Sequence, residues 1–218
     1  MKILKVNPEK PDKKIIEKTA KVLGIGGVIL YPTETLYGLG ANIFDVNAVQ
    51  RVFEIKGRDI TKPSSVAFRN LNQAKKFLQF TLEAEKLAKK FLPGPLTIIL
   101  NSKIEFDAFL GGDKVSVRIP DNPIAQALLN AIKFPITATS ANLSGGKEPI
   151  EVKDAVEQIG NKVDLILDGG KCKYGMPSTV VDLTSGEIQI VREGVISKNE
   201  ISTVILKKFI CPIWDIIM

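Results

Sequence analysis

Hydrophobic and polar positions along the chain follow two periods, one typical of helices and one typical of strands. Apolar residues three or four apart predict helices over residues 11–23, 45–56, 74–80, 82–91, 123–132 and 152–159. Short apolar runs predict strands over residues 28–31, 64–68, 96–100, 115–119, 136–139, 163–167, 179–183 and 188–191, with a loop over 33–41. This alternation favours a single α/β domain with a twisted, mixed sheet covered by helices.

Composition indicates the class of protein and the cellular compartment to expect. A hydrophobic content of 44% with 25% charged residues is typical of soluble globular proteins. No run approaches the roughly 18 apolar residues of a membrane span, and Cys172 and Cys211 are too few for a disulfide framework. We therefore expect a cytoplasmic protein without membrane contact. Residues 1–200 are expected to form the domain, and the apolar tail 201–218 to pack on it or on a partner subunit, which leaves monomer and dimer open.

The absence of histidine excludes whole classes of chemistry. Neither a Ser-His-Asp or Cys-His pair nor a histidine metal ligand can be built from this chain. Catalysis must use carboxylates, lysine, arginine, hydroxyls, backbone amides or a bound ion. The net charge of +6 is concentrated in the first half, since residues 1–109 hold 18 basic and 11 acidic residues. We expect anionic partners on surfaces built by that half.

Several segments combine glycine with polar or cationic side chains at predicted element ends. Residues 31–40 and 137–146 each fit either a polar turn or a close backbone approach to a ligand. Lys56, Arg58 and Lys62 fit either an anion clamp or a basic helix end. Arg118 interrupts an apolar strand, where it is either exposed or faces a cleft and pairs with a carboxylate. With Arg192, three of the five arginines lie in such segments, which favours a convergent anion pocket.

Seven segments in order resemble the YrdC-like family of threonylcarbamoyl-AMP synthases. They are YPTETLYGLG (31–40), KGR (56–58), VRIP (117–120), TSANLSG (139–145), LDGG (167–170), STVVDLT (178–184) and VREG (191–194). Each is weak alone, but the ordered set is specific. The resemblance implies a twisted α/β domain with a concave, basic cavity. It also implies that L-threonine, bicarbonate or CO2, and ATP give threonylcarbamoyl-AMP and pyrophosphate, the first step of threonylcarbamoyladenosine modification of tRNA.

The resemblance also implies roles for individual residues. The threonine contacts would be Thr35, Arg118 and Ser140, with the arginine taking the carboxylate. The ATP contacts would be Lys56, Arg58, Lys62, Asn142, Ser178 and Arg192, with Lys56 and Arg58 also catalytic. Mg²⁺ would accompany ATP, held mostly by phosphate oxygens and not by a protein metal site. The machinery that transfers the threonylcarbamoyl group to tRNA, and tRNA itself, are implied as partners only by the resemblance.

Three departures from the family pattern keep other functions open. Ala67 stands where many members have a histidine, Glu148 stands where a small hydroxyl residue is common, and Lys114 stands where a threonine is frequent. The chain is expected to be a short form without the extra C-terminal domain of longer members. The stretches RIPDNPIAQALL and VREGV are also similar to the YciO branch. The alternatives are therefore a YciO-like relative with changed chemistry and an RNA-binding module without synthase activity.

Overall fold

The computed structural model describes residues 2–206, which form two mixed β-sheets with helices packed against them. The α-helices are α1 (Lys13–Gly24), α2 (Val46–Lys56), α3 (Leu71–Phe77), α4 (Leu82–Phe91), α5 (Pro123–Ala131), α6 (Val152–Ile159) and α7 (Lys198–Leu206). A 3₁₀ turn covers Ala108–Leu110. The strands are β1 (Lys2–Lys5), β2 (Ile29–Tyr31), β3 (Gly38–Gly40), β4 (Val66–Ala67), β5 (Leu96–Asn101), β6 (Lys114–Arg118), β7 (Ile136–Thr137), β8 (Thr139–Ser140), β9 (Leu165–Asp168), β10 (Thr179–Asp182) and β11 (Gln189–Arg192).

The two sheets have the strand orders β1-β9-β2-β3-β8 and β11-β10-β5-β6-β4-β7. Pairing is mixed in both: β2 is parallel to β9 and antiparallel to β3, and β5 is parallel to β10 and antiparallel to β6. The prediction of a single α/β domain with mixed pairing is confirmed. The prediction of one sheet is wrong, because the chain passes between two sheets.

That passage occurs inside the segment predicted as one strand over residues 136–139. Strand β7 pairs with β4 in the second sheet, whereas β8 pairs with β3 in the first. Between them the Ala138 N–H donates to the Ser65 carbonyl at 2.7 Å. The apolar and β-branched pattern runs straight through the crossing, so the sequence carries no sign of it.

Strand β3 lies where the sequence predicts a loop. It pairs with β2 on one side and β8 on the other. A side chain at Gly40 would place its Cβ 3.1 Å from the side chains of both Ile29 and Tyr31. Glycine here allows close packing within a sheet instead of making a turn.

Helix α2 begins and ends as its sequence predicts. Asp45 caps it by accepting the Ala48 N–H at 3.1 Å. Gly57 ends it in the left-handed conformation, with φ of 56°. This turn redirects the chain directly before Arg58, which becomes part of the cavity described below.

Helix α7 continues the packed domain beyond the boundary predicted at residue 200. Its Ile201 is buried in the apolar cluster that also holds Leu87 of α4. Residues 207–218 lie outside the described residues, so the packing of that tail and the oligomeric state stay predictions.

Cys172 is a free thiol, and its burial raises its pKa to about 12. No helix within residues 2–206 is both long enough and apolar enough to cross a membrane.

Candidate active site

A cavity of about 400 Å³ lies where the two sheets meet. The residues of its wall come from the turn between β2 and β3, from strands β5, β6 and β8, from the segment just before β10 and from the end of β11. The volume falls in the range of small-molecule sites, and polar and cationic side chains converge on it.

Arg118, at the end of β6, forms a buried ion pair. It is 5% exposed, and its Nη2 lies 2.7 Å from Oε1 of Glu34, which is 1% exposed. The other carboxylate oxygen, Oε2, accepts the Asp121 N–H at 3.0 Å. Of the two orientations open for Arg118, the cleft-facing one with a carboxylate partner is confirmed.

The turn before β3 presents a hydroxyl beside this pair. Thr33 Oγ1 accepts the N–H groups of Thr35 and Leu36, each at 3.2 Å, and donates to the Leu36 carbonyl at 2.7 Å. These bonds fix the turn from within. Thr35 Oγ1 lines the cavity 3.4 Å from Nη2 of Arg118.

Arg58 and Arg192 line the cavity without a carboxylate partner in the described residues. Arg58 donates to the carbonyls of Lys62 and Pro63 at 2.5 and 3.0 Å. Arg192 donates through Nε and Nη2 to the Ser178 carbonyl at 3.1 and 2.9 Å. Carbonyls orient the guanidinium groups but leave their charge uncancelled. Burial, and then the charge of Arg192, lowers the pKa of Arg58, so the two cations act on each other.

The loop after β8 forms another part of the wall. Ser140 Oγ donates to Oδ1 of Asn142 at 2.6 Å, and Nδ2 of Asn142 donates to the Gly146 carbonyl at 2.9 Å. Both side chains line the cavity, as does Glu148 a little further on. Glu148 raises the pKa of Arg192, against the larger lowering effects of burial and Arg118.

Lys56 lies behind this loop and does not line the cavity. Its side chain is 2% exposed, and its ammonium donates to the carbonyl of Ser140 and to two oxygens of Asn142. Burial, and then the charge of Arg58, lowers the pKa of Lys56 to about 7. Lys62 is exposed and also lies outside the wall.

The structure therefore brings together seven of the nine residues predicted for the site. They are Thr35, Arg58, Arg118, Ser140, Asn142, Ser178 and Arg192. Their individual ligand roles stay predictions, as do those of Lys56 and Lys62.

Two contributors were missed by reasoning from the sequence. Glu34 lies in the segment 31–40, which the sequence already marks as polar. A buried arginine in a strand needs a carboxylate partner, and that requirement could have identified Glu34 as the partner of Arg118. Thr97 lines the cavity, and its Oγ1 lies 2.8 Å from Oγ of Ser178. In the sequence it is a single threonine within the apolar run of β5. No sequence signal separates it from a core threonine.

The departures from the family pattern lie in different settings, and Lys114 is exposed at the start of β6, outside the cavity wall. Ala67 is fully buried beside Arg118 in the pairing of β4 with β6, and it belongs to an apolar cluster that includes Tyr31. It does not line the cavity. Glu148 does, and brings a negative charge to a wall that otherwise carries arginines.

The fold and cavity define a class, an α/β domain with arginines converging where two sheets meet. The family model for Sua5, YciO and YrdC, described as telomere recombination, matches residues 21–194. The chain belongs to this family, and the resemblance drawn from the sequence is confirmed.

Relatives and solved structures agree with that membership. A Methanocaldococcus jannaschii protein, provisionally named a threonylcarbamoyl-AMP synthase, is 40% identical over 90% of this chain and 93% of its own length. The threonylcarbamoyl-AMP synthase of Pyrococcus abyssi is 41% identical over 83% of this chain, which spans 54% of that protein. The structure of P. abyssi Sua5 with L-threonine has a TM-score of 0.90 at 38% identity, covering 94% of this chain and 61% of that one. Escherichia coli YciO has a TM-score of 0.82 at 32% identity, covering 90% and 98%.

Proposed function

We propose that this chain synthesises threonylcarbamoyl-AMP from L-threonine, bicarbonate or CO2, and ATP, and releases pyrophosphate. The observation that carries the proposal is the convergence of Arg58, Arg118 and Arg192 on one cavity lined with hydroxyls. Such a wall suits a reaction that joins a carboxylate-bearing substrate to a polyphosphate. The names of the relatives from M. jannaschii and P. abyssi support the same activity.

Arg118 is assigned to threonine. A guanidinium binds a carboxylate through two parallel hydrogen bonds; Thr35 Oγ1 lies 3.4 Å from this guanidinium, and Ser140 lines the same cavity. Arg118 and Glu34 together carry no net charge. That balance suits an amino acid, which is a zwitterion with no net charge of its own.

Arg58 and Arg192 are assigned to the triphosphate. Both groups are held by neutral carbonyls, so their charges remain available to a polyanion. Asn142 and Ser178 offer amide and hydroxyl groups to the rest of the nucleotide. The resemblance adds Lys62, whose exposed side chain lies outside the wall.

The reaction needs alignment and charge neutralisation more than proton transfer. The threonine ammonium first loses one proton and becomes a free amine. The amine then bonds to the carbon of CO2 and loses a second proton, which gives an N-carboxylate, and solvent or bicarbonate takes both protons. One oxygen of that carboxylate bonds to the α-phosphorus as the bond to the bridging oxygen breaks and pyrophosphate leaves. The attacking group is already an anion, so this step requires no histidine. Fixed arginines stabilise the charge that develops.

Magnesium would enter with ATP. Among residues 2–206 no group of three or more acidic or sulfur ligands is placed to hold a metal ion. Among the residues that line the cavity, Glu148 provides the carboxylate. One carboxylate suits a Mg²⁺ ion whose other ligands are chiefly triphosphate oxygens. Bound there, Mg²⁺ would neutralise part of the phosphate charge. The product is a reactive mixed anhydride, so in this proposal a separate transferase passes its acyl group to tRNA.

Pyrophosphate release with each substrate omitted in turn tests the proposal. Release that requires ATP, threonine and bicarbonate together is the expected result. Release that is indifferent to threonine, or no release from protein that binds ATP, would contradict it.

A YciO-like role without synthesis is the second candidate. It is supported by Ala67 in place of the family histidine and by the likeness to E. coli YciO over nearly all of both chains. Nucleotide binding without pyrophosphate release would favour it. RNA binding with a steep salt dependence and no release would favour the RNA-binding module instead.

A further inference from the structure

Lys56 occupies an unusual place for a residue expected to contact ATP. It is the last residue of α2, and its side chain is buried behind the loop of residues 140–146. That loop, not Lys56, faces the cavity. The lysine is therefore separated from a cavity ligand by the wall itself.

The hydrogen bonds of the ammonium are already accounted for. A lysine ammonium has three N–H donors and no acceptor. Three acceptors surround it: the Ser140 carbonyl, the Asn142 carbonyl at 2.7 Å and Oδ1 of Asn142 at 3.2 Å. All three belong to the 140–146 loop, so no donor remains for a phosphate.

The same contacts determine the shape of the loop. Oδ1 of Asn142 accepts from both Lys56 and Ser140, which fixes the amide so that its Nδ2 donates to Gly146. The carbonyl of Lys56 accepts the Ser144 N–H at 2.9 Å. The end of α2 thus bonds to the loop through both its side chain and its backbone.

We infer that Lys56 is a positioning residue, whose ammonium holds the 140–146 loop in the shape that presents Ser140 and Asn142 to the cavity. Its charge acts on loop oxygens and not on the triphosphate. Removing the ammonium would leave buried carbonyl oxygens without a donor, so the loop would rearrange toward water. The consequence for catalysis rests on the proposed function, whereas the order of the loop is a property of the ligand-free chain.

Hydrogen–deuterium exchange on the ligand-free protein tests the inference. In Lys56→Met the amides of residues 140–146 should exchange at least about tenfold faster, the scale of one lost charged hydrogen bond, while β5 and β6 stay unchanged. Lys21→Met, which removes an exposed lysine from the last turn of α1, is the matched control. Loop exchange at the wild-type rate in folded Lys56→Met would overturn the inference.

A second measurement uses wild-type protein and so does not depend on the folding of a variant. Acetic anhydride acetylates accessible lysine amines. Lys56 should stay unacetylated both with and without ATP, because its amine is engaged by the loop. Free labelling that ATP suppresses would identify a phosphate ligand and refute the positioning role.

Kinetics then connect the loop to the reaction. A displaced loop should raise the KM for both threonine and ATP in Lys56→Met, since Ser140 and Asn142 face the cavity together. A rise confined to ATP would contradict the inference. If the wild-type protein shows no turnover, the proposed function fails, but the exchange and labelling results still decide the role of Lys56.

Discussion

The three arginines of the cavity are held in two different ways. Arg118 is buried against the carboxylate of Glu34, so its charge has a partner within the protein. Arg58 and Arg192 are oriented by backbone carbonyls, which hold a guanidinium in place without neutralising it. Arg118 is therefore a fixed guanidinium whose charge is paired, whereas Arg58 and Arg192 are fixed guanidinium groups whose charges are unpaired among the described residues. This difference matches the zwitterionic and polyanionic substrates in the proposed reaction.

Removing Arg58 should have the largest effect on activity. Arg58→Ala is expected to lower pyrophosphate release by about 100-fold or more, the scale seen when one fixed donor to developing charge is lost. Threonine affinity, measured by calorimetry, should stay close to that of wild type. Arg51→Ala is the matched control, because Arg51 lies on α2, the helix that ends just before Arg58, and pairs with Asp164 at the surface. Undiminished turnover in Arg58→Ala would remove this residue from the mechanism.

Breaking the Arg118–Glu34 pair should affect stability most. Glu34→Ala and Arg118→Met each leave one buried charge unpaired, and each should lower the free energy of unfolding by about 3 kcal/mol. The double variant should lose clearly less than the sum, because neither charge remains. Urea unfolding of the four proteins measures this coupling. Additive losses would show that the two side chains do not act as a pair.

Salt should affect the binding of ATP and of threonine differently. Raising KCl from about 50 mM to about 500 mM should weaken ATP binding several-fold, since uncancelled charges attract a polyanion and are screened. Threonine binding should change much less. An equal salt dependence for both ligands would contradict the difference between the paired Arg118 and the unpaired Arg58 and Arg192.

The smallest expected effect concerns Glu148. Its carboxylate lines the cavity and acts on Arg192, so it opposes a bound polyanion. Glu148→Gln should tighten ATP binding by about threefold, as expected for an interaction between partly exposed charges. Weaker ATP binding in this variant would indicate that Glu148 contributes to holding the metal or the nucleotide.

The fold was predictable where a single periodicity of hydrophobic residues covers a whole helix or strand. Helices α4 and α6 begin and end as their periodicity predicts, and Asp45 caps α2 as its position suggests. The sequence could not show that the segment around Ala138 passes between sheets, because β-branched residues continue across it. It also could not show that Gly40 is in a strand, since the side chains that crowd this position, those of Ile29, Tyr31 and Ile136, come together only in the folded sheets.

The site was predictable as a set of residues but not as a set of contacts. The resemblance identified Arg118, and only the structure shows that Glu34 neutralises it. It also grouped Lys56 with Arg58 by their spacing. The left-handed Gly57 between them sends Arg58 to the cavity and leaves Lys56 behind the wall. Spacing along the chain does not reveal on which side of a wall a side chain lies.

Mass spectrometry of the reaction product with ¹³C-bicarbonate tests the central claim most directly. The account predicts a nucleotide with the mass of threonylcarbamoyl-AMP that gains one mass unit from the label, formed only when threonine and ATP are present. ATP cleavage without an adduct, or an adduct that carries no label, would contradict it.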